Sequence, residues 1–419
     1  MGVSSLDDIL VLPLRANDGL VKAIASFMNL RGQDGEPLSL NKVLRYNNFP
    51  DGATNPKVYK PEEIEGKRVI LVDTHTSRVN MNERAWTRVA FLKSILDGAG
   101  ATEVNLATFP IPYSRQDADP NAPPPKGNPN DPAHKKRLRK HFNIQGEPFA
   151  LDDYIGFLSY LGIKRIITAE NHNPAGTEEI IQRRFGKAKG VFFNLDPFIL
   201  FGHLFKNFPM YGADGQRLDF GQNGSNVVLG GFDVGALDRL ERFAHYAGWT
   251  EYQRTTQLKN RLEAANPEAI EILKQEKGYD TLEGRIFIIP DDIFDSGGTM
   301  DRALMAIPFS KEGKPAYLIA VVPYPINTGE AFDRLERNNL NMWTMTFRPN
   351  IAMHDEYGAE TINPLFIGKW LADEFGSIMT TGKPILIREN LGNLTDSYLS
   401  TLYELRDPSP MEHFRPNGR

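Results

Sequence analysis

The sequence predicts an α/β protein of two consecutive units, each a parallel sheet flanked by helices. Three observations carry that expectation. Short β-branched runs alternate with amphipathic stretches along most of the 419 residues, the rhythm of βαβ units. The chain is too long for one typical domain, and a hydrophobic content of 41% is enough to fill more than one core. One stretch, residues 285–299 (R-I-F-I-I-P-D-D-I-F-D-S-G-G-T), reads as a strand, a glycine-containing loop and a helix start in immediate succession.

That stretch organises the rest. Residues 286–290 are mostly apolar and rich in Ile, as in a buried parallel strand. Pro290 is out of place there, because proline removes a ladder donor from what should be a central strand. The strand ends in two adjacent carboxylates, Asp291 and Asp292, and Asp295, Ser296, Gly297, Gly298 and Thr299 lead into a helix from about Met300 to Ile307. Backbone N–H groups converge at such a turn and the helix dipole favours negative charge, so it suits a phosphate. Ser296 and Thr299 add hydroxyl donors. Asp291 and Asp292 would repel that phosphate; they suit a neighbouring sugar diol, or a Mg²⁺ held between the diol and other oxygens. The bland alternative is a βα turn with solvated acids, for which Asp-Ser-Gly-Gly alone is common enough.

In chain order, the first unit offers strands at 9–14, 68–72 and 103–109, helices at 19–30 and 82–98, then a helix at 149–161 and a strand at 165–168 that ends at Glu170-Asn171-His172. Residues 118–147 break the rhythm: six prolines between Asp119 and Pro132 precede the basic run Lys135-Lys136-Arg137-Leu138-Arg139-Lys140. So long a stretch is usually functional or disordered, and a charge run is most often a solvated face. A second unit begins near Asn194. It carries a strand at 227–230, a helix at 237–247, a polar stretch around Lys259 and Arg261, the 285–299 stretch, a strand at 316–322 and a late helix at 364–375.

Composition narrows the function. A net charge of −5 and a pI near 6.0 argue against a dedicated nucleic-acid binder. The absence of cysteine excludes disulfides and thiolate chemistry. The longest clean apolar run in the C-terminal half, residues 316–322, is too short to cross a bilayer, and the first residues lack a signal-peptide h-region. A cytoplasmic protein without membrane partners is expected.

Several loops together resemble the ribose-phosphate pyrophosphokinase (PRPP synthetase) family, over about residues 11–378 and in that family's order. The 285–299 string is similar to the PRPP-binding loop of that family and of type I phosphoribosyltransferases. Arg45-Tyr46-Asn47-Asn48-Phe49-Pro50-Asp51-Gly52 resembles the adenine-contacting loop, with Pro50 and Ala53 departing from it. Pro112-Tyr113-Ser114-Arg115-Gln116-Asp117 is close to Pro-Tyr-Ala-Arg-Gln-Asp, Glu170-Asn171-His172 stands where the family has Asp-Leu-His, and residues 232–239 resemble Pro-Asp-X-Gly-Gly-X-X-Arg. Leu258-Lys259-Asn260-Arg261 is similar to the mobile Asp-Lys-Arg-Arg segment, keeping its first Lys and last Arg.

The resemblance implies two tandem type I phosphoribosyltransferase-like domains, residues 1–193 and 194–363, with the insertion 118–147, the helix 364–375 packed back on the first domain, and an extension at 379–419. It implies an ATP-dependent diphosphokinase acting on ribose 5-phosphate or a relative, with Mg²⁺ as cofactor and a homo-oligomer, dimer or hexamer, as assembly. Phe49, Asp51, Arg115, Gln116 and His172 would meet ATP; His172, Asp233, Asp291 and Asp292 the metal; Asp291, Asp292, Asp295, Ser296, Gly297, Gly298 and Thr299 the ribose phosphate; Lys259 and Arg261 would be catalytic. ADP-ribose, giving ADP-ribose pyrophosphate for NAD⁺ resynthesis as in phage-type relatives, is the alternative acceptor. A catalytically silent regulatory homologue is the non-enzyme alternative.

Overall fold

In the computed structural model, residues 6–385 are described apart from 16–18, 51–53, 75–80, 117–118, 129–133, 136–137, 139–140, 143, 146, 213, 232–235, 262–269, 306, 308–310, 312, 327–328, 346–359 and 363, and 411–412 are described as well. The chain opens with β1 (Ile9–Pro13), α1 (Gly19–Phe27), α2 (Leu40–Val43), β2 (Leu44–Asn48), β3 (Thr54–Val58) and β4 (Arg68–Asp73). It continues with α3 (Met81–Gly98), β5 (Glu103–Thr108), α4 (Ala150–Tyr160), β6 (Ile166–Ala169), α5 (Pro174–Phe185) and β7 (Phe192–Leu195). Next come α6 (Phe198–Asn207), β8 (Val227–Gly231), α7 (Ala236–Ala247), β9 (Gln253–Arg261), β10 (Ile270–Gly278), β11 (Ile286–Pro290) and β12 (Ile293–Phe294). The last elements are α8 (Gly298–Met305), β13 (Tyr317–Val322), β14 (Tyr324–Pro325), α9 (Ala331–Arg337), β15 (Leu340–Thr344), β16 (Glu360–Ile362), α10 (Pro364–Thr381) and β17 (Met411–Glu412).

β1, β4, β5, β6 and β7 lie side by side in that order, every pair parallel. Ile9–Pro13 and Ile166–Ala169 are buried without a break, as expected of strands covered on both faces. The second sheet runs β10-β9-β8-β11-β13-β15-β16-β17. Its inner neighbours are parallel, and an antiparallel pair closes each end, β10 on β9 and β17 on β16.

The period-two pleat sorts this second sheet between two cores. Val227, Leu229, Ile286, Ile288, Ile319 and Val321 join the larger core, which also holds Phe205, Phe243 and Trp249. Val228, Phe287, Ile289, Leu318, Ala320 and Val322 face the other way, onto Met300, Leu304 and Leu335. α10 returns to the first sheet: a Cβ on Gly368 would stand 2.7 Å from that of Ala23 in α1, and Arg68, the first residue of β4, donates to the Met379 carbonyl.

The register accounts for Pro290. Asp291 donates its N–H to Val321 of β13, and Ile286 donates to Asn226 just before β8. N–H groups alternate sides along a strand, so a residue at 290 would donate toward β8. The ladder with β8 has already ended at Ile288↔Leu229. The missing donor therefore falls at the point where pairing with β8 stops, although β8 itself continues to Gly231 beside β9. The polar stretch at 253–261 also differs from its sequence reading: it is the strand β9, paired antiparallel with β10. Among the described residues, no helix is long and apolar enough to cross a membrane.

Candidate functional site

Parallel α/β sheets bind ligands beyond the carboxyl ends of their strands. Here the carboxyl ends of β6 and β11 meet across the two sheets. β6 runs out into Glu170-Asn171-His172, and β11 into Asp291 and Asp292. Nδ1 of His172 and Oδ2 of Asp292 are 2.7 Å apart, joining residues 120 positions distant in sequence. The Tyr324 hydroxyl, following β13, donates to the carbonyl of Ala169 at the end of β6. Arg115, from the loop after β5, pairs with Asp295 of the glycine loop.

Local structure fixes His172. The Asn171 side chain accepts from the Asn173 N–H at 3.0 Å and the Thr177 hydroxyl at 3.0 Å, and Asn173 caps α5 through the Gly176 N–H at 3.0 Å. Glu170 before them adopts a left-handed φ of 35°, unusual for a residue with a Cβ. It is held by Arg242 of α7, which forks onto its carboxylate at 2.9 and 3.1 Å. Arg242 also meets Asp196 at 2.5 Å and Asp238 at 2.8 Å.

The paired carboxylates are not equivalent. Asp292 is buried, with Oδ1 4.0 Å from Arg239 in addition to its bond with His172. Burial alone would raise its carboxyl, but the His172 bond and the Arg239 charge outweigh that and hold it well below the ordinary carboxylate range. Asp291 is more open, at 16% side-chain exposure against 7%. It accepts from Arg239 at 3.0 Å and from the Asp292 N–H at 3.0 Å.

The glycine loop has little room. Gly297 has φ +73°, and a Cβ there would lie 2.7 Å from the Phe294 ring. Gly298 begins α8, and a Cβ on it would lie 2.6 Å from Nη1 of Arg334. Thr299 is the second residue of α8, whose first N–H groups are the orphan donors every helix start leaves. The Ser296 carbonyl accepts from Arg334 at 3.1 Å.

His172, Asp291, Asp292, Asp295, Ser296, Gly297 and Gly298 thus belong to one region, with Arg115 tied to it. Gln116 closes a turn through its N–H to Tyr113 at 2.7 Å, and its side chain is exposed. Phe49 stands at the tip of the β2–β3 hairpin, 54% exposed, and no described contact links it to His172. Lys259 and Arg261 lie on β9, opposite Ile272 and Ile270; their side chains, with Asp51 and Asp233, lie outside the described residues, as does most of the run 135–140. No group of three or more metal-ligating side chains occurs among the described residues. Arg239 closes the 232–239 string quoted from sequence but was given no role there, and Arg242 and Tyr324 were not singled out. The signal available for the two arginines was their i, i+3 spacing, which puts both on one helical face.

The fold and this meeting of strand ends define a mixed α/β protein of two phosphoribosyltransferase-like domains. No protein-family model matches the chain, and no curated protein matches its sequence. Among solved structures it is similar to phosphoribosylpyrophosphate synthetase from Mycobacterium smegmatis, with a TM-score of 0.60 and 14% identity over 89% of this chain and 99% of that one. At that identity the likeness is one of fold. The AQ2163 protein from Aquifex aeolicus aligns over 40% of this chain and 74% of its own at 16% identity, with a TM-score of 0.26 on which nothing rests.

Proposed function

We propose that the protein is an ATP-dependent diphosphokinase, moving the β,γ-diphosphate of ATP to the C1 hydroxyl of ribose 5-phosphate or of an acceptor containing it, with release of AMP. One observation carries the reading: His172 of the first sheet touches Asp292 of the second, and Arg115 touches Asp295. Two motif groups distant in sequence thereby meet. Transfer of this kind needs positioning and charge neutralisation more than covalent help. The C1 oxygen bonds to the β-phosphorus while the bond from that phosphorus to the α,β-bridging oxygen breaks; the oxygen leaves on AMP, and the hydroxyl proton passes to water.

In this reading residues 295–299 hold the 5-phosphate through loop and helix N–H groups, and Asp291, the more open carboxylate, holds the ribose diol. Asp292 is the structural partner that keeps His172 and Arg239 in place. Arg115, Gln116, Phe49 and Asp51 serve ATP, and Lys259 and Arg261 meet charge on the β- and γ-phosphates. Magnesium enters with the nucleotide. The described residues do not fit a protein-held Mg²⁺ cage, because Asp291 and Asp292 are engaged by Arg239 and His172. The reading divides the chain near Asn194 and includes a cytoplasmic homo-oligomer.

ADP-ribose is the second acceptor reading, since the loop asks only for a phosphate on the ribose C5 oxygen and ADP-ribose carries one. The test is incubation with ATP and Mg²⁺ plus each acceptor in turn, reading AMP and the diphosphorylated sugar by mass. AMP with ADP-ribose alone selects the second reading; no acceptor-dependent AMP leaves the silent homologue.

A further inference from the structure

We infer that Arg334 is the positioning residue of the 295–299 loop, bracing it from beneath so that its N–H groups stay aimed at the acceptor phosphate. This rests on the reading of that loop as the phosphate site. Arg334 belongs to α9, far from the loop in sequence, and is 9% exposed. Its Nη1 donates to the Ser296 carbonyl at 3.1 Å, its Nη2 to Glu330 at 3.1 Å, and its Nε lies 3.9 Å from Asp301 in the first turn of α8. The same Asp301 carboxylate takes Arg337 at 2.6 Å and Asn338 at 2.7 Å. The end of α9 is thereby fixed to the start of α8.

The consequence follows from the planar trans peptide, in which C=O and the next N–H point opposite ways. Holding the Ser296 carbonyl on the guanidinium turns the Gly297 N–H to the opposite side, away from the buried arginine. The guanidinium also lies against Gly298, where a Cβ would come within 2.6 Å of Nη1. A planar fork can serve a carbonyl and two carboxylates at once; the point charge of a lysine cannot.

The test uses the full chain with Arg334→Gln, Arg334→Lys and, as control, Glu330→Gln, whose carboxylate is 66% exposed. Calorimetry reads affinity for ribose 5-phosphate, inorganic phosphate and ATP, and a thermal melt reads folding. Both Arg334 variants should lose about 10–100-fold in affinity for ribose 5-phosphate and phosphate, the scale of one charge-assisted bond. ATP affinity should hold within about twofold, lysine should not rescue, and the control should match wild type. If the Arg334 variants do not fold, Gly298→Ala displaces the guanidinium without removing its charge and should give the same loss. Wild-type phosphate affinity in the folded variants, or an equal loss for ATP, overturns the role of Arg334. Wild-type protein that binds neither phosphate ligand overturns the reading of the loop itself.

Discussion

Gly297→Ala adds one methyl group at the centre of the proposed phosphate site, and its cost can be worked from the geometry. At φ +73°, a residue with a Cβ costs roughly 1–2 kcal/mol relative to glycine. The new Cβ would also stand 2.7 Å from the Phe294 ring, an overpacking of about 1–3 kcal/mol. The two together come to roughly 2–5 kcal/mol if nothing moves. Phe294 is 3% exposed and belongs to the second core, so the half-buried backbone at Asp295 and Ser296 is the cheaper part to displace. The loop should therefore leave its conformation while the domain stays folded. A residual 1 kcal/mol would lower the melting temperature by about 2–4 °C for a unit of this size. Affinity for ribose 5-phosphate should fall by about 10–100-fold, as when an oriented N–H contact to a charged group is lost. Calorimetric titration alongside a thermal melt reads both quantities. Wild-type affinity in a folded variant would refute the reasoning, because the phosphate would then not depend on this turn.

Three further outcomes follow from the same structure. Lys259→Ala should lower kcat about 10²–10³-fold with ATP affinity nearly unchanged, as for a cation acting on the transition state; steady-state kinetics showing only a raised KM would make Lys259 a binding residue. Arg242→Gln leaves Glu170 and Asp196 facing each other without their shared cation, and should cost roughly 3–5 kcal/mol in chemical denaturation; a loss under about 1 kcal/mol would mean the cluster is solvated and contributes as a surface pair does. Glu374 of α10 is buried, and burial pushes its carboxyl up to about 7 from an ordinary 4.5, against the opposing Ile385 N–H bond. The native state thus holds that proton more tightly than the unfolded chain, so this contribution is complete below about pH 4.5 and is lost as pH rises toward 7. Glu374→Gln should raise the melting temperature at pH 8 and flatten the profile between pH 4.5 and 7; parallel profiles for variant and wild type would exclude Glu374 as the titrating group.

By itself the sequence determined the buried parallel strands and the glycine turn that opens α8. Residues 286–290 and 227–230 are apolar runs too short for helices and rich in β-branched residues, so local chemistry leaves few alternatives. Asp-Ser-Gly-Gly-Thr before a helix start is likewise a local arrangement, because glycine freedom and helix-end N–H groups need no distant partner. Pro290 looked anomalous from sequence because a strand does not reveal which neighbour each N–H faces; register decides that, and register is a property of the sheet. The difference in surroundings between Asp291 and Asp292 was also closed to sequence. Adjacent and chemically identical, they differ only in what packs around them, with His172, 120 positions away, bonded to the deeper one. Arg242 and Arg334, and the partners of Arg239, stayed hidden for a related reason: arginines on amphipathic helices read as solvated until tertiary packing turns them inward onto particular carboxylates and carbonyls. Local propensity acts over a few residues, whereas electrostatic pairing across two sheets depends on where the folded chain brings its ends, and only the tertiary structure decided that.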